Sequence, residues 1–244
     1  MKKRNIKGVL LAGGEGTRLR PLTIATNKHL LRVGKLPMIQ HPLSKMIEAG
    51  IVDIHVVTGG ENYQGVVKYL GSGSQWGIKI SYSIQDNAGG IAEALGLARA
   101  FIGDDRMLVI LGDNVFTMSL KKQVAEFRDN MAECKAILFV DKSDTPNRFG
   151  VLKYDRGGDI VDILEKPKKA PSRDIVTGIY MYTPDVFQVI KTLKPSGRGE
   201  LEITDVNRTY IQTKRLKIVH MSGDWTDCGT FDTLLKAESQ VSGV

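Results

Sequence analysis

The sequence predicts an α/β fold: a Rossmann-like, mostly parallel central sheet with helices on both faces, followed by a strand-richer portion. Three observations carry that prediction. Short apolar runs alternate with stretches of helical periodicity through the first 115 residues. The first run, at 7–12, opens straight into the glycine loop Gly13-Gly14-Glu15-Gly16. The most apolar run, MLVIL at 107–111, has the length and continuity of a strand buried on both faces. With 244 residues, 42% apolar and 25% charged, the chain can bury one large core without a metal or disulfide staple and is too apolar for intrinsic disorder.

Element by element, 7–12 reads as a buried strand, and 37–49 as a helix begun by Pro37 and ended by Gly50. Strands follow at 53–58, 79–84 and 107–111, separated by helices at 61–70 and 91–101. Such a β-α-β-α order makes neighbouring strands parallel, and ligands of such sheets bind beyond the strands' carboxyl ends. In the second half, 150–154 and 160–164 flank Asp155-Arg156-Gly157-Gly158, whose residue types suit a hairpin turn. Further strands are expected at 175–182 and 216–220, and helices at 184–192, 200–213 and 230–239. No repeat or linker divides the chain, so one domain is expected over 1–244.

Composition narrows the function classes. The net charge is +7, yet residues 1–40 alone hold nine basic side chains against Glu15, and the remainder balances at −1. A surplus confined to one segment around a glycine loop fits a local anion site better than a nucleic-acid groove, and aromatics, at 7%, provide no stacking platform. Lys2, Lys3 and Arg4 read as a solvated tail. Two cysteines, Cys134 and Cys228, build no disulfide framework, so a reducing cytoplasm is expected. GVLLA is too short for a signal-peptide core, and no run approaches a membrane span.

Four loops carry the candidate chemistry. Gly13–Arg18 lets backbone N–H groups approach phosphate, with Arg18 and Lys28 as cations; it lacks the Gly-Lys-Ser/Thr of a Walker loop and the third glycine of a dinucleotide fingerprint. Asp113, in LGDN at the end of the 107–111 strand, can ligate a hard cation such as Mg²⁺, or simply end the strand in an Asx turn. Asp227, in WTDCGT, is either a second carboxylate for the same metal or an ordinary acid before a helix. Glu165-Lys166-Pro167 suits a sugar phosphate, the acid accepting hydroxyls and the ammonium taking the phosphate, but equally suits an exposed charged turn. No Ser-His-Asp or Cys-His arrangement is present: His41, His55 and His220 read as core or surface residues, His29 alone stands next to the loop cations, and Cys228 reads as packing.

The motifs GVLLAGGEGTRLRPLT (8–23), NKHLL (27–31), GSGSQWG (71–77), GGIAEAL (89–95), LGDN (111–114), RFGV (148–151), EKP (165–167), VTGIYMY (176–182), GELEITDVN (199–207) and WTDCGT (225–230) run in order over nearly the whole chain. In them the chain resembles the sugar-phosphate nucleotidylyltransferases, and among these the thymidylyl-transferring branch. The resemblance implies the nucleotide-diphospho-sugar transferase fold, with 1–115 mainly nucleotide-binding and 116–244 mainly sugar-phosphate-binding. It implies that Leu11, Gly13, Gly16 and Thr17 line the nucleotide, that Gln85 and Gly90 read a pyrimidine, and that Arg18 and Lys28 grip the triphosphate. Asp113 and Asp227 would hold Mg²⁺. Gly150, Glu165 and Val176 would meet the sugar, Lys166 and Arg198 its phosphate, and Trp225 would wall the site.

The implied reaction is transfer of a thymidylyl group from dTTP to α-D-glucose 1-phosphate by in-line attack on the α-phosphorus, with no protein general base. Catalysis would rest on Arg18, Lys28 and Asp113. The same chemistry with UTP or another hexose 1-phosphate is the nearest alternative, and a non-catalytic nucleotide or sugar sensor a more distant one. Small-molecule substrates are the expected partners, with neither nucleic acid nor membrane. Arg32 stands where relatives usually have proline. The chain ends soon after the 230–239 helix, whereas long relatives continue with interface helices, so the usual tetramer and its feedback site are not expected and a homo-oligomer is left open.

Overall fold

The computed structural model describes residues 5–60, 62–129 and 134–242. Lys2, Lys3, Arg4 and the expected helix start at Glu61 lie outside the described residues. The chain runs through β1 (Ile6–Ala12), the short strands β2 (Arg32–Val33) and β3 (Leu36–Pro37), α1 (Gln40–Glu48), β4 (Asp53–Gly59), α2 (Tyr63–Leu70) and β5 (Lys79–Gln85). There follow α3 (Ile91–Leu97), α4 (Arg99–Ile102), β6 (Arg106–Leu111), β7 (Asn114–Phe116), α5 (Lys121–Asp129), β8 (Ala136–Lys142), β9 (Gly150–Tyr154) and β10 (Ile160–Glu165). The last elements are β11 (Asp174–Tyr182), α6 (Val186–Thr192), α7 (Ile203–Gln212), β12 (Leu216–His220), β13 (Trp225–Asp227) and α8 (Phe231–Ser242).

Among the described residues nine strands form the main sheet, in the order β10-β9-β11-β6-β1-β4-β5, with β8 also pairing β11 and β12 pairing β8. Seven of them point the same way, and only β10 and β11 are reversed. The expected mostly parallel sheet is therefore present. Its logic is visible in β1, where alternate residues point to opposite faces and both faces are covered. Val9 and Leu11 pack with α3, α4, α6 and α7, while Leu10 and Ala12 pack with α1, α2 and α5.

The long strand β11 joins the two halves. Residues 179–182 pair with β6, residues 175–176 with β9, and nearly the whole length with β8. The β8 register breaks between Val176 and Tyr180. Such a bulge frees backbone groups from the ladder. Here it lets Gly178 N–H donate to Asn114 Oδ1 at 3.0 Å, so the irregularity sits where the two halves meet the site. The C-terminal helix α8 closes a small core of Val33, Met38, Val115, Cys228 and Ala237. Arg32 reaches from β2 to Glu238 of α8 at 3.4 Å.

Three expected boundaries move. Pro37 does not begin a helix: Gly34, at φ +61°, reverses the chain, Pro37 pairs with Arg32 in a two-residue ladder, and α1 starts at Gln40. The 91–101 helix is two pieces that meet at Ala98, just after Gly96 has weakened the turn. Residues 200–202 stay out of α7 because Leu201 bridges to the α3 entry, its N–H donating to Gly89 O and its carbonyl accepting from Ala92 N–H. Among the described residues no helix is long and apolar enough to cross a membrane.

Candidate active site

The carboxyl ends of β1, β5 and β6 deliver Gly13, Gln85 and the Leu111–Asp113 corner to one cleft of about 240 Å³. Leu11, Gly13, Lys28, Gln85, Gly90 and Asp113 line it, together with the apolar Ala94, Ile91 and Leu111. Gln85 is almost buried and its amide is fixed at one end, Nε2 donating to Gly90 O at 3.3 Å and to Glu93 Oε2 at 3.4 Å. Gly90 has φ +99°, and a Cβ there would stand 2.5 Å from Leu201 O, so neither the conformation nor the space admits a side chain. Gly16 and Thr17 are not part of the wall. Gly16 instead shapes the loop: at φ +64° a Cβ there would stand 2.9 Å from Lys28 Cβ, and its carbonyl accepts from Thr23 Oγ1 at 2.8 Å.

Lys28 and His29 lie on a single 3₁₀ turn capped by Asn27. Asn27 Oδ1 accepts from His29 N–H and stands 2.8 Å from His29 Nδ1, which places the ring proton on Nδ1 and leaves Nε2 an acceptor. Burial, reinforced by the Lys28 charge, pushes His29 down to about 3, so the ring is neutral. Lys28 Nζ reaches Asp113 Oδ2 at 2.6 Å. Burial works to raise the Asp113 carboxyl, but the Lys28 ammonium and the Asn114 amide hold it well below the usual carboxylate range.

A two-stranded ladder then brings the second carboxylate alongside. In β7–β13, Asp227 pairs with Asn114, and Cys228 N–H donates to Asp113 O at 2.8 Å. Asn114 is the fastening point: Oδ1 accepts from Gly178 N–H and Trp225 Nε1–H, while Nδ2 donates to Asp113 Oδ1 at 3.0 Å. Because the site is buried, losing that amide would strand two donors, each costing about 1–3 kcal/mol. Asp227 pairs with Arg148 at 3.2 Å, yet burial and the Asp113 charge outweigh Arg148, Arg18 and Lys28 and push its carboxyl up to about 6. Cys228 beside it is wholly buried, and burial pushes its thiol up, as suits packing rather than nucleophilic attack.

A second cleft, of about 170 Å³, adjoins the first and shares Ile91, Leu111, Asp113 and Glu200 with it. Arg18, Gly150, Glu165, Lys166, Val176, Arg198, Trp225 and Asp227 all line it. Glu165 accepts from Thr204 Oγ1 and lies 3.3 Å from Lys166 Nζ and 3.4 Å from Arg198 Nη2. Arg198 is gripped chiefly by Glu202, both of whose carboxylate oxygens stand 2.9 Å from Nη2. Several lining residues carry no expectation from the sequence, among them the polar Asn114, Arg148, Thr204 and Asn207. Asn207 is fully buried with Nδ2 unpartnered, a donor left for something in the cleft. The signal that could have found these four is that each falls inside a motif already singled out. The other histidines are structural: His55 bridges Ser81 and Ser83, His41 Nε2 meets Val33 O, and His220 is exposed at the end of β12.

Comparison with known proteins places the chain in a family. The Nucleotidyl transferase family profile matches residues 7–243. The glucose-1-phosphate thymidylyltransferase of Neisseria meningitidis serogroup A is 41% identical, covering 98% of this chain and 83% of its own length. The low-salt glycan biosynthesis nucleotidyltransferase Agl11 of Haloferax volcanii is 35% identical over 97% of this chain and 66% of its own length. A crystal structure from Bacillus anthracis, assigned as a glucose-1-phosphate thymidylyltransferase and solved with sucrose, superposes with a TM-score of 0.92 at 48% identity, covering 98% and 96% of the two chains. A UDP-glucose pyrophosphorylase solved with UDP-glucose gives 0.84 at 27% identity, covering 98% and 99%. The chain belongs to the nucleotidyl transferase family. It is an enzyme, a nucleotidyltransferase of the nucleotide-sugar pyrophosphorylase fold.

Proposed function

We propose that the protein transfers a thymidylyl group from dTTP to α-D-glucose 1-phosphate, giving dTDP-glucose and pyrophosphate. The observation that carries this reading is the placement of Asp113 in the wall shared by two clefts. One cleft is apolar and ends at the Gln85 amide, and the other is lined by Glu165, Lys166 and Arg198. A base and a sugar phosphate bound in them would meet beside Asp113, Lys28 and Arg18. The relatives named for this reaction cover nearly the whole chain.

The residues also fit a divalent metal. Asp227 is pushed up to about 6 partly by the Asp113 charge, so a cation between the two carboxylates would relieve a repulsion the fold builds in. Among the described residues no group of three or more His, Cys, Asp or Glu is placed to hold a metal. Two carboxylates with phosphate and water completing the shell is the arrangement Mg²⁺ favours. Bound there, Mg²⁺ would neutralise phosphate charge and orient the departing pyrophosphate. Arg18 and Lys28 add donors where negative charge accumulates, and the Asn114 clamp keeps Asp113 from turning away. The attacking phosphate oxygen is already anionic, so no group need remove a proton. The neutral, Nδ1-anchored His29 therefore serves as a fixed wall and acceptor.

Pyrophosphate release measured with glucose 1-phosphate and a panel of dTTP, UTP, CTP, ATP and GTP tests the reading. Turnover should be fastest with dTTP. UTP is the strongest competitor, because thymine and uracil share the edge that Gln85 faces and a relative of the same fold was solved with UDP-glucose. Equal rates with dTTP and UTP would remove the thymidylyl assignment.

A further inference from the structure

We propose that Arg148 is an exchangeable counter-ion, pairing with Asp227 while the site is empty and with the phosphate of the sugar substrate once a divalent cation has taken Asp227. The inference rests on the function proposed above and adds a residue to it.

Three observations support it. Arg148 ends the Pro146–Arg148 turn that leads into β9, and its guanidinium lies 5.5 Å from the Phe149 ring centroid, so the side chain is steadied from its own neighbour. Its Nη2 stands 3.2 Å from Asp227 Oδ2, the carboxylate best placed to join Asp113 on a metal. It also lines the sugar-side cleft, with Lys166 and Arg198.

Arg148, Lys166 and Arg198, three of the four cations lining that cleft, are not equivalent. Arg198 is bound by Glu202, Glu200 and Glu165, and Lys166 by Glu165, all of them carboxylates that a metal at Asp113 and Asp227 leaves undisturbed. Arg148 is paired with the very carboxylate the metal needs. Arg18 crowds the same spot: a Cβ on Gly229 would lie 3.0 Å from Asp227 Oδ2 and 3.2 Å from Arg18 Nη2. When a divalent cation occupies Asp227, the Arg148 pair is lost to competition, and like-charge repulsion drives the guanidinium off the metal. The half-buried guanidinium, once unpaired, finds its nearest compensating charge in an anion bound in the cleft it already lines. Metal binding and sugar-phosphate capture are then coupled through one side chain.

The test uses the full chain with Arg148→Met, which keeps the apolar stem on Phe149 and removes the charge, beside Arg148→Lys, which keeps the charge. Mn²⁺ binding to the substrate-free protein is followed by electron paramagnetic resonance, and glucose 1-phosphate binding with Mn²⁺ present by calorimetry. In Arg148→Met, Mn²⁺ should bind several-fold tighter, because its competitor is gone, while glucose 1-phosphate should bind about tenfold weaker. Arg148→Lys should lie between it and the parent protein in both. A static strut predicts the reverse for the metal, with Mn²⁺ affinity unchanged or weaker as Asp227 loosens, and that result overturns the proposal. A wild-type protein that binds Mn²⁺ but turns over neither dTTP nor UTP with glucose 1-phosphate would fail the proposed function. The Mn²⁺ comparison would still decide the exchange at Asp227, with inorganic phosphate as the anion probe.

Discussion

The two clefts meet at one aspartate but are built on different principles. On the parallel side, Gly13, Gly90 and the Gln85 amide present backbone and neutral groups over an apolar floor, and Lys28–Asp113 is the ion pair at its edge. On the mixed side, four cations (Arg18, Arg148, Lys166, Arg198) face five carboxylates (Asp113, Glu165, Glu200, Glu202, Asp227), most already paired with one another. The first surface is pre-organised and needs only to be filled. In the second most of the charges are already paired, so apart from the free Asn207 amide donor a phosphate gains partners there chiefly by displacing a carboxylate or by arriving with a cation.

The largest break in the comparison is Asp113→Asn, since Asp113 belongs to both clefts. The amide keeps the volume and removes the charge that would hold metal. Turnover should fall by about 10²–10³-fold, in line with loss of a key electrostatic group, while circular dichroism stays native. Full activity would mean the shared aspartate holds nothing. Next comes Arg198→Ala. It removes the group that Glu202, Glu200 and Glu165 surround, and KM for the sugar phosphate should rise about 10- to 100-fold, the worth of one charge-assisted contact. KM for the nucleotide should stay put. A rise in both would show that the clefts are not separable.

Acidity supplies a third test. In the metal-free protein the Asp227 carboxyl is pushed above its unfolded value, to about 6, by burial and the Asp113 charge. A raised acid stabilises the fold below its unfolded pKa and loses that contribution as pH rises through about 6. Metal competes with the same proton, so Mn²⁺ affinity should fall about tenfold for each pH unit below that point and level off above it. Asp227→Asn should flatten the profile. An unchanged slope in that variant would move the titrating group elsewhere.

The contrast between the clefts also explains what was legible in the sequence. The parallel half is written in local pattern: apolar runs, helical spacing and glycine loops each specify their own segment, so β1, β4, β5 and β6 and the residue Asp113 followed from position, while Gln85 and Gly90 came through motif resemblance. The mixed half is written in long-range pairing. Strand β8 and helix α5 raised no expectation, although AILFVDK is a plain apolar run, because its partner β11 lies about forty residues on. The bulge at 177–179 and the Asn114 clamp depend on a register that no local pattern encodes. Lys166, Arg198 and Glu165 could be placed at the cleft through motif resemblance, but Glu202 could not, since it is drawn out of α7 only by the bridge from Leu201 to the α3 entry. The motif holding Arg148 was legible, but its pairing was not, its partner Asp227 standing on another ladder.

The smallest expected effect probes the charge pairing of the sugar side directly. Thr204 donates its hydroxyl to Glu165 from the first turn of α7, and both residues line the sugar side. Thr204→Val keeps the β-branched shape and removes the donor, so Glu165 retains Lys166 and Arg198 but loses the contact that aims one oxygen. With a neutral-to-charged hydrogen bond worth about 1.5–3 kcal/mol and two cations left to compensate, the lower end is expected, about a tenfold rise in KM for the sugar phosphate. Turnover at saturation and KM for the nucleotide should be unchanged. If KM does not move, Glu165 is positioned by its cations alone, and the network on this side is redundant. If turnover falls as well, Glu165 is set for the transition state, and the division between a pre-organised nucleotide cleft and an exchanging sugar cleft has to be redrawn.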